Sequence, residues 1–227
     1  MTILVTGATG RVGHKVVQQL VKRGADVRVL VRDTSKASFP AGVEVVQGDL
    51  LDIDALRAAF TGVNTLFLLN AVAADEFTQA LITLNIARES GVERVVYLSV
   101  IHSDHFVNVP HFAVKFGAER MIERMGFGAT ILRPAYFIDN ELMIKDVIFN
   151  HGVYPMPIGN KGIAMVDARD IAEQVTHEKQ QYYHLYPYPG DENGMDNGIV
   201  FFKIVHILDL VNRIFLCHIC RTPAGRH

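Results

Sequence analysis

The chain has 227 residues, 49% of them hydrophobic and 20% charged, with a formal net charge of −2. That composition is enough to bury one core with a small appendage, and it lacks the basic excess that a nucleic-acid partner demands. Two cysteines, Cys217 and Cys220, both fall in the last eleven residues, which excludes a disulfide framework for the rest and fits a reducing compartment.

No basic segment with a cleavage site stands before the first apolar run, so a cytoplasmic location is expected. Ile3, Leu4 and Val5 form that run, as in a strand buried on both faces of a parallel sheet. Gly7, Gly10 and Gly13 follow at fixed spacing. The first suits a sharp turn, the second lets backbone approach a phosphate, and the third lets helix pack on strand. Val12, Val16, Val17, Leu20 and Val21 then recur at helical spacing, so the helix opens where Thr9, Gly10 and Arg11 sit. Its free N–H groups and positive dipole end make an anion site there, sized for a pyrophosphate. No Gly-Lys-Ser/Thr follows, so this is not a P-loop.

Gly24 closes the helix, and Val27 to Val31 form a second strand ending at Arg32 and Asp33. In a dinucleotide-binding unit an acidic residue there takes the ribose 2′-hydroxyl of NAD, whereas arginine accommodates the 2′-phosphate of NADP. Arg32 comes first and Arg11 offers a second guanidinium, so NADP(H) is the expected cofactor, with NAD(H) as the alternative that Asp33 supports. Val43 to Val46 make a third strand, followed by Gln47-Gly48-Asp49-Leu50 at its carboxyl end. Asp49 either meets the adenine amino group or caps the short helix that begins near Asp52 with Leu56, Ala59 and Phe60 on one face.

Thr65 to Leu69 read as a fourth strand ending at Asn70, with Ala71 to Ala74 small enough for close approach of a ribose or nicotinamide. A helix through Phe77, Ala80, Leu81, Leu84 and Ala87 stops at Gly91, and Arg94 to Val100 give a fifth strand, with Tyr97 in the core and Ser99 at its end. His111 and Lys115 stand four apart, on one face of the next helix. Strand six starts at Ala129 and is expected to end at Tyr136.

Several segments together carry a resemblance: Thr6-Gly7-Ala8-Thr9-Gly10-Arg11-Val12-Gly13, Arg32-Asp33, Gly48-Asp49-Leu50, Pro110-His111-Phe112 with Lys115 and Glu119, Leu132-Arg133-Pro134, and Val166-Asp167 with Arg169-Asp170-Ile171-Ala172. Over about Met1 to Glu173 the chain resembles the NmrA-like branch of the atypical short-chain dehydrogenase/reductases. The resemblance implies a dinucleotide-binding domain, a small C-terminal substrate domain, and either an NADPH-dependent reductase or an NADP-sensing regulator. The wider superfamily has Tyr-x-x-x-Lys where this chain has His111-x-x-x-Lys115. The resemblance therefore leaves Lys115 its ribose-holding role and removes the phenol. Histidine, with an ordinary pKa of about 6.5, can serve as the proton donor, or can merely start the helix after Pro110. Tyr136, or a water held by Ser99, is the other source of the proton.

No metal is expected. His102-Ser103-Asp104-His105 lacks the helical histidine spacing of a metal site, and Cys217-His218-Ile219-Cys220 is a lone C-x-x-C. After Glu173 the composition changes, with nineteen alanines before that point and one in the 54 residues after it. Tyr182 to Gly198 read as a turn-rich connection, and Ile199 to Ile219 as an apolar helix whose polar stripe, Lys203, His206, Asp209 and Arg213, argues against a membrane span.

The fold expected is α/β, a doubly wound Rossmann parallel sheet with a small, atypical C-terminal part. Residues 1–173 make the NAD(P)-binding domain and residues 174–227 a divergent segment. The function expected is an NAD(P)H-dependent oxidoreductase acting on a small carbonyl or quinone, or a redox sensor signalling to a regulatory protein partner. A homodimer is a further expectation, and neither membrane nor nucleic acid is expected as a partner. The site residues expected are Gly7, Thr9, Gly10, Arg11, Val12, Gly13, Arg32, Asp49, Leu50, Asn70 and Lys115 for the cofactor, and His111, Lys115, Tyr136 and Ser99 for catalysis.

Overall fold

The structure is a computed structural model that describes residues 1–156, 163–176 and 199–200. In chain order the elements are β1 (Thr2–Val5), α1 (Arg11–Lys22), β2 (Asp26–Val31), β3 (Glu44–Gln47), α2 (Ile53–Phe60), β4 (Val63–Leu68) and α3 (Glu76–Glu89). They continue with β5 (Arg94–Leu98), α4 (Pro110–Met125), β6 (Gly128–Leu132), β7 (Tyr136–Phe137), α5 (Glu141–His151), β8 (Met165–Val166), α6 (Ala168–Val175) and β9 (Ile199–Val200). The described backbone groups into two compact units, one of residues 1–135, 168–176 and 199–200, the other of residues 136–156 and 163–167.

The first unit is the doubly wound sheet, all parallel, in the order β3-β2-β1-β4-β5-β6-β9. Its central strands β1, β4 and β5 are apolar on both faces: Leu4, Val5, Leu66, Phe67, Leu68 and Tyr97 are wholly covered, as a sheet flanked by helices requires. Helices supply the facing layer through Leu56, Phe60, Leu84 and Ile122, each worth about 1.5–3 kcal/mol when fully buried. Because the strand order reverses between β1 and β4, the connections leave the carboxyl ends of these strands in opposite directions, the place where open α/β sheets hold their ligands. On the far side α6 packs along α1, and the Arg23 guanidinium donates to the Thr176 carbonyl.

In the second unit β7 pairs in parallel with β8, Tyr136 opposite Met165 and Phe137 opposite Val166. This corrects the expected run of strand six to Tyr136. Strand β6 ends at Leu132, because Pro134 offers no N–H to a ladder; its carbonyl instead accepts from Ile101 N at 3.0 Å. Strand β5 likewise stops at Leu98, two residues short of the expected Val100.

The expected helix from Ile199 is also corrected at its first two residues. They pair with β6 as a strand, Ile131 with Ile199 and Leu132 with Val200, which satisfies the open edge β6 would otherwise present. The rest of that expected helix, both cysteines and the whole of the expected turn-rich connection lie outside the described residues.

Candidate functional site

The loop between β1 and α1 is built from its glycines. Gly7 has φ +65, a left-handed conformation that glycine adopts at no steric cost, and a side-chain carbon on it would press into Leu69 at 2.9 Å. Gly10 N donates to the Gly7 carbonyl at 3.0 Å and closes the turn. Gly10 is the N-cap of α1, with no side-chain cap and no acidic residue in the first turn. The opening amides at Arg11, Val12 and Gly13 therefore present their partial positive charge without an internal carboxylate to absorb it. Thr9 and Arg11 are exposed at this rim, while Val12 and Gly13 are buried beneath it.

Thr6, which opens the glycine motif but is not among the expected site residues, ties this turn to the end of β4. Its hydroxyl donates to the Leu69 carbonyl at 3.0 Å and accepts from Leu69 N at 2.8 Å. One residue further on, Asn70 is 4% exposed and neither its amide nitrogen nor its amide oxygen has a partner. A buried amide normally fills its hydrogen bonds, and one left open beside an uncapped helix end marks a place for a polar ligand.

At the end of β2, Arg32 is exposed, and Asp33 is turned into local structure. Its Oδ1 accepts from Ser35 N at 3.0 Å and from Ser35 Oγ at 2.6 Å. After β3 it is Asp52 that caps α2, accepting from Ala55 N at 3.0 Å, whereas Asp49 folds its own loop by accepting from Leu51 N at 2.9 Å. Leu50 packs its side chain on the core. Arg11, Arg32, Asp49 and Asn70 thus follow β1, β2, β3 and β4 at one edge of the sheet.

Helix α4 carries the second half of the site. Lys115 is 3% exposed; its Nζ donates to the Leu98 carbonyl at 3.0 Å and stands 5.0 Å over the Tyr97 ring. From the start of α3, Glu76, only 2% exposed, reaches both members of the His-x-x-x-Lys face. Its Oε1 lies 2.9 Å from Lys115 Nζ, an ion pair off the hydrogen-bonding direction, and its Oε2 lies 3.0 Å from His111 Nδ1. Burial pulls the Lys115 ammonium below its ordinary range, while the charges of Glu76 and Glu119 oppose that fall. The Tyr97 hydroxyl, buried without a partner, is pushed far up by burial first and by Glu76 and Glu119 after it, so it stays a phenol.

Ser99 does not stand free over this face. Its hydroxyl donates to Glu119 Oε1, which also accepts from Ser103 Oγ and from Arg133 Nε, both at 3.1 Å. Arg133 Nη2 completes the fork on Oε2 at 2.5 Å, and its other nitrogen lies 3.6 Å from Asp104. This buried network pins the loop after β5 to β6. His102 in that loop has φ 57, the one positive φ at a non-glycine among the described residues. Asp104 pairs with His105 at 3.0 Å as well as with Arg133, so the His102–His105 stretch is spent on structure, and no metal-binding cluster occurs among the described residues. Tyr136 belongs to the second unit, where burial and then the Glu141 charge raise its phenol above the usual range. No helix among the described residues is long and apolar enough to cross a membrane.

Comparison with known proteins places this arrangement. The NAD(P)H azoreductase of Xenophilus azovorans is 30% identical over 194 residues, covering 79% of this chain and 66% of that protein. Quinone oxidoreductase 2 of Escherichia coli is 29% identical over 198 residues, covering 83% and 68%. The crystal structure of the latter enzyme with NADPH superposes with a TM-score of 0.68 at 30% identity, over 75% of this chain and 62% of that one. Triphenylmethane reductase of a Citrobacter species, solved with NADP(H), gives a TM-score of 0.59 at 28% identity, over 65% and 53%. The chain therefore spans about two thirds or less of the length of these relatives. The NmrA-like family model matches residues 1–182, and with the glycine turn, the sheet order and the α4 face all in place, the chain belongs to the NmrA-like family.

Proposed function

We propose that this protein binds NADP(H) across the carboxyl ends of β1 and β4 and uses it to reduce a small quinone or carbonyl acceptor. The observation that carries the reading is the unpartnered, buried amide of Asn70 beside the uncapped amino end of α1, at the point where the strand order reverses. The residues fit the cofactor. The amides opening α1 receive the pyrophosphate, Arg32 with Arg11 takes the 2′-phosphate, Asp49 and Leu50 border the adenine, Asn70 takes a ribose or the nicotinamide amide, and Lys115 holds the nicotinamide ribose. Asp33 Oδ1 is taken up by the Ser35 amide and hydroxyl, which weakens the case for a carboxylate-held 2′-hydroxyl and so for NAD(H). The azoreductase is named for NAD(P)H, and the two structural relatives were solved with NADPH and NADP(H).

Bound NADPH supplies a hydride, and a quinone accepting it needs one proton more to become a hydroquinone. His111 gives that proton. With Nδ1 held against Glu76, Nε2 is the ring atom left for proton transfer. Tyr136 and a Ser99-held water are the remaining proton sources, although the Ser99 hydroxyl is already given to Glu119. A regulator that senses NADP(H) without turnover and signals to a protein partner is the second reading, favoured by the absence of tyrosine at position 111. NADPH consumption against a panel of quinones and aldehydes, run beside calorimetric NADPH binding, separates the two. Binding with quinone-dependent consumption supports the reductase, binding with no consumption supports the sensor, and no binding removes both.

A further inference from the structure

We infer that Glu76 is the positioning residue of the site: its buried carboxylate, 2.9 Å from Lys115 Nζ and 3.0 Å from His111 Nδ1, holds both side chains and keeps Lys115 an ammonium. This rests on the reading of Lys115 as the ribose-holding residue and extends it to what makes that lysine usable.

The geometry is unusual for a structural ion pair. Glu76 opens α3, where a carboxylate would ordinarily point to solvent and favour the helix dipole from outside; here it is turned inward and 2% exposed. Two basic groups share it, and both come from the single α4 face that the family resemblance marks as functional. The groups facing Lys115 are Glu76 from α3, Glu119 from its own helix and the Tyr97 ring from β5. Glu119 is already forked onto Arg133, and Tyr97 stays neutral, so Glu76 is the carboxylate in direct contact with the ammonium. A lysine this deeply buried releases its proton readily once its partner charge is removed. An uncharged Lys115 would hold a ribose hydroxyl as an amine, with weaker donation and no field for the negatively charged cofactor.

The test uses the full chain and Glu76→Gln, which keeps the shape, removes the charge and turns one acceptor oxygen into an amide donor. NADP+ affinity is measured by calorimetry at about pH 7 and about pH 9, and thermal unfolding is followed over the same range. On going to the higher pH Glu76→Gln is expected to lose at least about tenfold more affinity than the wild type, as Lys115 sheds its proton more readily without the carboxylate. Stability should move the opposite way. A buried lysine with a depressed titration costs the folded state at low pH, and that cost is relieved as pH rises, so Glu76→Gln gains thermal stability toward about pH 9 relative to wild type. A variant unfolded near neutrality but folded at the higher pH gives the same result by the same route. Parallel pH dependence of wild type and variant, in binding and in melting, overturns the inference, as does failure of the variant to fold at either pH. Absence of NADP+ binding by the wild type removes the cofactor reading alone, because the melting curves still report the Glu76–Lys115 coupling.

Discussion

Gly13 lies so close to Gly7 that a side-chain carbon on it would stand 2.2 Å from the Gly7 carbonyl oxygen and 2.7 Å from the carbonyl carbon. Both neighbours are backbone, so nothing can rotate away. At Gly10 the same construction meets only the Gly7 oxygen, at 3.2 Å, which a shift of a few tenths of an ångström relieves. The two glycines therefore fail differently. Gly13→Ala should displace α1 from β1 and unfold or badly destabilise the first unit. Gly10→Val should leave a folded protein, within about 2 kcal/mol of wild type, yet fill the space above the α1 amides that a pyrophosphate needs. Thermal melts paired with calorimetric NADPH titration check both, and a Gly10→Val protein that binds NADPH with unchanged affinity refutes the phosphate site.

Arg32 and Asp33 set the cofactor choice. Since the Asp33 carboxylate is held by Ser35, the exposed Arg32 guanidinium is the charged group after β2 with a phosphate to gain. The wild type should bind NADPH more tightly than NADH, and Arg32→Ala should narrow the gap by about 1.5–3 kcal/mol, the worth of a charged hydrogen bond. Equal affinities for the two cofactors in the wild type would be the contrary result.

What could be read in the sequence was what is local. The spacing of Gly7, Gly10 and Gly13, the apolar run at Leu4 and Val5 and the valines of α1 each depend on neighbours within a turn or a strand, and the alternation of strand and helix implies a parallel sheet. Lys115 and His111 were legible as a pair for the same reason, being four apart on one helix. Glu76 was not, because its partners lie 35 and 39 residues along the chain and meet it only once α3 packs on α4. An acidic residue in a first helical turn is so common that nothing in the sequence set this one apart. The Glu119 cluster was hidden likewise, since Ser99 and Ser103 from the loop after β5 and Arg133 from the end of β6 converge on a residue of α4. Tyr136 was misplaced because a strand signal running into Arg133-Pro134 does not say on which side of the proline pairing resumes.

His111→Phe separates a reductase from a sensor. The ring of similar size keeps the packing against Phe112, whose centroid is 6.0 Å away, while removing the proton and the contact with Glu76. Quinone-dependent NADPH consumption should fall by about 10²–10⁴-fold, the usual contribution of a positioned acid. NADPH affinity should stay near wild type, since Lys115 keeps its carboxylate. Full turnover in His111→Phe would move the donor to Tyr136 or to a water near Ser99.

Tyr97 gives a prediction with a definite sign. Its hydroxyl is buried with no partner, and burial, reinforced by the charges of Glu76 and Glu119, holds the phenol far above its ordinary range. In the unfolded chain the same phenol ionises near pH 10, about its ordinary value. Above that pH the unfolded state releases a proton that the folded state keeps, so the stability this group contributes is complete below about pH 10 and declines by about 1.4 kcal/mol per pH unit beyond it. Lys115 works in the reverse sense over an adjoining range, because its depressed ammonium makes the folded state give up its proton first. Comparing wild type with Tyr97→Phe cancels the lysine. The variant should be as stable as wild type or more so by about 1–3 kcal/mol near neutrality, having lost only an unsatisfied hydroxyl, and its alkaline decline should be shallower by the slope of one phenol. Chemical denaturation at intervals from about pH 8 to about pH 11 reads both quantities. A marked loss of stability at neutrality would show instead that the hydroxyl has a partner worth keeping.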